Sequence, residues 1–349
     1  MSRNMIAANK AIFDLLDEYA ERHGERLENT GQDRWIATTD ADKAILKNYA
    51  LSKLARFSST KSILRLDRTP DTVFALVGFD QAIESDWLSP VEVGPGLLTA
   101  VLSEALPRPT ATALELKQVV DAQDKRDEGY DGHDAGDISE LFPNVRAFYN
   151  FNVDDDATPQ IILDFVLSET SLSDNWITPR LIADLHQLID LDLIGVPYMT
   201  LARSMLDYDR ASVFMALYRC FEALYAYAGA SKIKNALNLP QSWDLIAAQL
   251  ELNLNWRPIE GQSLELLMKM AAENDLIKIR DAISPAFPGD GPGDIVRSAS
   301  DYLYKLRNSV VHFRAIHSLV EHDKVDWESL CCACATSVAY IYSEIFGSI

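Results

Sequence analysis

The sequence predicts an α+β fold, with an N-terminal mixed α/β region followed by a C-terminal all-α helical bundle. Three observations predict it. Short apolar and β-branched runs bounded by turn residues fall in the first 170 positions. From Thr178 onward, apolar residues recur at helical spacing in one segment after another, between capping residues. At 349 residues the chain has room for two domains of ordinary size, and the change of pattern divides it into residues 1–175 and 176–349.

Met5 to Arg22 reads as an amphipathic helix with Ile12, Phe13, Leu16 and Tyr19 on one side. A second helix is expected after Thr39-Asp40, carrying Ile45, Leu46 and Tyr49 and continuing through Leu54 to Phe57. Ser62–Leu66 and Thr72–Phe79 read as strands about the turn Asp67-Arg68-Thr69-Pro70-Asp71. Gly94-Pro95-Gly96 opens a short helix that ends near Leu106. Residues 121–140 are rich in aspartate and glycine and offer little to bury, so an exposed, flexible acidic loop is expected there. Val145–Val153 and Gln160–Leu167 read as a strand pair with Asp154-Asp155-Asp156 in the turn. A solvated turn is the reading for those aspartates, since no spaced second set of carboxylates follows to complete a cation site.

The second half is read as about five helices. Thr178-Pro179 is an N-cap and first-turn pair. Ala211–Ala228 carries Val213, Phe214, Leu217, Phe221 and Leu224 at helical spacing. Ser242 and Ser263 each begin a further helix. After a Pro/Gly loop over 284–293, Asp294 caps a helix with Ala299, Tyr302, Leu303, Leu306 and Val310 inward. The last helix begins near Asp326, with Leu330, Cys334, Val338 and Ile341 inward.

The formal net charge is −20, which argues against a protein that coats nucleic acid through a broad basic surface. Residues 1–200 hold 18 Lys+Arg against 34 Asp+Glu, and residues 201–349 hold 14 against 18. On that division an RNA contact is expected only in the second part, through a local site. Cys220, Cys331, Cys332 and Cys334 do not form a disulfide framework, and the last three sit in an apolar helical run where cysteine acts as a small hydrophobe. A zinc site there would need two further ligands, with His317 and His322 nearest in sequence. No P-loop, G-x-G-x-x-G or G-x-S-x-G pattern is present. No signal-like segment is evident at the N-terminus and no apolar run approaches ~18 residues, so a cytoplasmic protein without membrane association is expected.

The helix that follows Asp294 ends in Leu306-Arg307-Asn308-Ser309-Val310-Val311-His312. Arg307, Asn308 and His312 make an arginine, a polar residue and a histidine a short way on, late in a helical bundle. Two other Arg–His pairs at similar spacing carry less. Arg126 and His133 lie in the acidic stretch. Arg180 and His186 lie on a helix where Leu181 follows the arginine, so His186 reads as a packed or interface histidine. Through the Arg307–Asn308–His312 pattern and its bundle, the C-terminal part resembles the HEPN superfamily, whose members include metal-independent ribonucleases. The resemblance covers about 150 residues and does not extend to residues 1–175.

The resemblance implies an endoribonuclease, of the kind that serves as an effector in bacterial antiphage defence or in a toxin module. RNA cleavage by its own 2′-hydroxyl needs a base, an acid and a cation for the charged phosphorane. An imidazole supplies the first or second role and a planar guanidinium the third, with no metal and no cofactor. Asn308 and His312 are one turn apart and share a helix face. Glu222, in Arg219-Cys220-Phe221-Glu222, stands where HEPN domains often carry an acidic residue, and is expected either to orient Arg307 or His312 or to form a plain salt bridge. Because one chain offers one Arg–His set, the resemblance also implies a homodimer or higher even oligomer with a composite site. The alternative is a non-catalytic dimerisation or interaction protein whose acidic N-terminal domain binds a partner or regulator.

Overall fold

In a computed structural model the described residues are 4–28, 33–68, 71–80, 88–124, 129–151, 156–171, 175–207, 209–287, 293–312 and 320–347. The fold is α+β, with a five-stranded antiparallel sheet and its helices followed by a run of about ten helices. The chain divides into two compact units, Met1–Thr158 and Pro159–Ile349. The sequence pattern drew that division after residue 175.

The strands of the first unit are β1 Ala50–Arg56, β2 Ser62–Arg68, β3 Asp71–Val77, β4 Ser89–Val91 and β5 Val145–Phe151, in the order β1-β2-β3-β5-β4. Alternation puts Leu64 and Leu66 of β2, Val73, Ala75 and Val77 of β3, and Val145 and Ala147 of β5 into one core. Helices α1 Met5–Arg22, α3 Pro95–Ala105 and α4 Ala113–Gln123 close that core with Ile12, Leu16, Leu98, Val101, Leu116 and Val120. Helix α2 Asp40–Asn48 opens on a capping box between Thr39 and Asp42. The second Asp42 oxygen accepts the Gly96 N–H at 3.0 Å. A Cβ at Gly96 would lie 2.5 Å from the Asp42 carbonyl oxygen, so this approach of α2 to α3 requires glycine.

Three readings of this half are corrected. The second helix stops at Asn48, and the run to Arg56 is strand β1. Its alanine, leucine and lysine content favours helix, but pairing with β2 prevails, and an irregularity between Leu51 and Lys53 obscures its alternation. Gln160–Leu167 is not a strand but part of helix α6 Thr158–Thr170. Ile161, Ile162, Leu163, Phe165, Val166 and Leu167 are all buried, and a helix buried on most sides gives the continuous apolar run of a core strand.

Nor is 121–140 an exposed loop where it is described. Asp121–Gln123 complete α4, Ala135–Glu140 form helix α5, and His133 is fully buried in a bridge to Ile36. The aspartates had a partner that composition does not reveal. Arg34, itself buried, donates from Nε to Asp124 at 2.8 Å and lies 3.8 Å from Asp121. Residues 125–128, Asp154 and Asp155 lie outside the described residues.

The second unit continues with α7 Pro179–Asp190, α8 Tyr198–Met205, α9 Arg210–Ala223, α10 Tyr227–Leu237, α11 Trp243–Leu254, α12 Glu260–Met268, α13 Glu273–Ile283, α14 Ile295–Val311 and α15 Trp327–Phe346. Among the described residues the expected five or so helices become ten, because α6 reads as a strand, α8, α10 and α13 have no clear signal, and short turns break longer periodic runs. The Thr178, Asp209, Asp294 and Asp326 side chains accept backbone N–H bonds at the starts of α7, α9, α14 and α15. Helix α15 is long and apolar enough to cross a membrane by length and composition, contrary to the expectation of no such run. Most of it is buried, and Tyr342 donates to the Cys220 carbonyl at 2.9 Å, tying α15 to α9.

Candidate functional site

Helix α14 carries its apolar face, with Ala299, Tyr302, Leu303 and Leu306, into the bundle and ends at His312. Helical geometry puts Arg307 one position beyond the last buried leucine, facing α9 and α12, and puts Asn308 and His312 on the flank. Arg307 Nη2 donates to Glu222 Oε1 of α9 at 2.9 Å, and Nη1 donates to Asn308 Oδ1 at 3.0 Å. Glu260, the first residue of α12, brings a second carboxylate within 3.7 Å of Nη1. The guanidinium carbon lies 5.9 Å from the centre of the Tyr218 ring, a cation–π contact from the turn of α9 before Glu222.

Burial works against the Arg307 charge, but the Glu222 hydrogen bond and the charges of Glu222 and Glu260 outweigh it, so the Arg307 pKa lies above its ordinary value. Its Nε–H is buried with no hydrogen bond to a described residue. Burial also lifts the Tyr218 hydroxyl to about 12, and that hydroxyl accepts from Tyr225 at 2.8 Å.

His312 has a different setting. It caps the C-terminus of α14, where its backbone N–H donates to the Asn308 carbonyl at 2.9 Å, and its side chain is exposed. The residues after it, 313–319, lie outside the described part, and His317 with them. The structure thus joins three of the four sequence candidates, Glu222, Arg307 and Asn308, in one hydrogen-bonded set. The fourth, His312, stands one helical turn from Asn308 on the solvent side.

Four neighbours escaped the sequence reading: Glu260, Tyr218, Ser309 and His322. Ser309 Oγ donates to the Leu306 carbonyl at 2.7 Å and lies 3.0 Å from His322 Nε2. His322 sits in a 3-10 turn, His322–Lys324, with its ring edge-on to Trp327. Nothing in the local sequence links Glu260 to Arg307 across 47 positions; only the packing of α12 on α14 brings them together.

The remaining candidates take structural positions. His186 is half-buried and its Nδ1 lies 3.4 Å from Asp164 of α6. All four cysteines are buried free thiols, and burial pushes Cys220 and Cys332 up to about 12. Among the described residues, no group of three or more His, Cys, Asp or Glu side chains is arranged to hold a metal ion. No protein-family model, curated protein or solved structure matches the chain.

Proposed function

We propose that the C-terminal unit is a metal-independent endoribonuclease of HEPN type, in which His312 transfers protons and Arg307 steadies the charged phosphorane. One observation carries the reading. Glu222, 85 positions away in sequence, holds Arg307 beside Asn308 at the end of the helix that presents His312 to solvent. An exposed imidazole and a fixed guanidinium at the same helix end supply the proton transfer and the positive charge that transesterification by a 2′-hydroxyl uses. Substrate phosphate would displace the longer Glu260 contact and leave Glu222 to orient the fork. An effector of antiphage defence or a toxin module fits such chemistry.

One specific observation favours the second reading, a non-catalytic bundle. Arg307 is only 17% exposed and faces two carboxylates, as a structural ion pair would be. Product analysis separates the two. The ribonuclease leaves 2′,3′-cyclic phosphate or its hydrolysis product and a 5′-hydroxyl, spares DNA and is indifferent to chelators. Arg307→Lys restores cleavage only in part, because an ammonium lacks the fork. Cleavage of DNA, or loss of activity in EDTA, would point to a metal nuclease at another site.

A further inference from the structure

We infer that a cavity lined by α8, α9 and the end of α14 takes the backbone of the RNA strand, with Arg203 and Arg219 on its phosphates. The inference rests on the ribonuclease reading for the identity of its ligand. The cavity has a volume of about 310 Å³, and its lining includes Thr200 and Arg203 of α8, Ser212, Met215 and Arg219 of α9, and Val310 of α14. Helical spacing gathers them: Thr200 and Arg203 are one turn apart, and Ser212, Met215 and Arg219 share one face of α9. The same spacing ties the cavity to the candidate site. Arg219 stands one turn before Glu222 and Val310 one turn after Arg307, so the Arg307–Glu222 ion pair lies one turn away along both helices. His312 follows Val310 by two residues.

The charges of the cavity favour an anion at that end. Arg203 and Arg219 are exposed, and neither side chain has an ion pair or hydrogen bond among the described residues. Partners are not scarce, since 52 acidic residues stand against 32 basic ones. Two carboxylates, Asp207 and Asp209, also line the cavity, but both are engaged at the start of α9. Asp207 accepts from the Ser212 hydroxyl at 2.7 Å, and Asp209 caps the helix by accepting the Ala211 N–H at 3.0 Å. Arg219 lies about 10 Å further along α9 than Ser212, toward Glu222 and Arg307.

Size decides the kind of ligand. Sites for whole small molecules run from about 300 to 1,000 Å³, and this cavity is at the bottom of that range. It has room for one phosphodiester link of a strand that continues across the surface to His312. Guanidinium groups grip phosphate oxygens, and such contacts position a strand without reading its bases. Arg203 and Arg219 thus set which link of the strand meets His312.

Turnover and binding of single-stranded RNA by the full chain in EDTA, at several salt concentrations, test this. Arg203→Ala and Arg219→Ala are each expected to raise KM about tenfold, as loss of a charged hydrogen bond does, with kcat within about twofold. Both positions are exposed, so the variants keep the circular dichroism of the parent. Binding is measured in the His312→Ala background. There each alanine change lowers the slope of log affinity against log salt by about 0.7, the share of one phosphate. The lysine variants keep the slope, because an ammonium carries the same charge. Arg257→Ala, at an exposed arginine outside the cavity, is the control and changes neither KM nor slope. Cleavage by the parent, with KM and slope unmoved in Arg203→Ala/Arg219→Ala, overturns the inference and leaves the ribonuclease reading intact. A parent that does not cleave, yet binds RNA with a slope that both arginines set, overturns that reading and supports the cavity. A parent that binds no RNA overturns the inference.

Discussion

Arg307 is the residue on which the candidate site turns, and its ion pair makes a quantitative prediction. Glu222→Ala should lower unfolding stability by about 1.5–3 kcal/mol, the ordinary worth of a hydrogen bond to a charged group. Replacing both partners should cost less than the sum of the single changes, because each single change leaves a half-buried charge without its hydrogen-bonded partner. Urea unfolding of the two single variants and the double variant reads this coupling, and simple additivity would mean that the contact is incidental. His312→Ala should leave stability within about 0.5 kcal/mol, since its side chain is exposed. Arg307, Asn308 and His312 could be picked out by spacing and by their place on a late helix. Glu222 could be picked out only through the family resemblance. Glu260, Tyr218 and His322 reach the site through helix packing, which no local pattern in one sequence encodes.

At the scale of elements, caps read well and buried runs read poorly. Helix α1 spans the expected residues, and Thr178, Asp294 and Asp326 start α7, α14 and α15 as expected, because side-chain capping is local chemistry. Helix α6 was taken for a strand because nearly every residue in it is buried, and β1 for helix because its composition argues against its pairing. The segment around His133 is the clearest miss. There Tyr130 Oη lies 2.6 Å from His133 Nδ1, and His133 Nε2 donates to the Val120 carbonyl at 3.0 Å.

Burial holds the His133 pKa below the ordinary histidine value, although the Val120 bond and the charge of Asp124 work the other way. The unfolded chain therefore takes up this proton first as pH falls. The stabilisation is complete above about 6.5, the unfolded value, and declines as pH drops from there toward the lower folded value. Urea midpoints at pH 7.5 and 5.5 should show a smaller acid loss in His133→Gln than in the parent. An equal loss would mean that His133 is not the group responsible.

For the whole molecule, the sequence pattern supplied the α+β class and the order of its parts, whereas the position of the division came from the contacts. The difference matters electrostatically. Divided after Thr158, the first unit holds 17 Lys+Arg and 28 Asp+Glu, a net of −11, and the second holds 15 and 24, a net of −9. The acidity confined to the N-terminal part on a division at residue 200 is shared between the units. RNA should therefore be held weakly and with only a shallow dependence on salt, since few phosphates are neutralised. In His312→Ala, where cleavage cannot remove the substrate, tRNA binding at about 0.15 M salt should be no tighter than micromolar. Nanomolar binding there would require a basic surface beyond Arg307. The central claim is the chemistry at the end of α14, and one measurement meets it directly: tRNA and total RNA incubated with the full chain in EDTA, beside His312→Ala. The account predicts cleavage by the parent and a loss of about 10²–10⁴-fold in the variant. Equal cleavage by the two, or none by the parent, would contradict it.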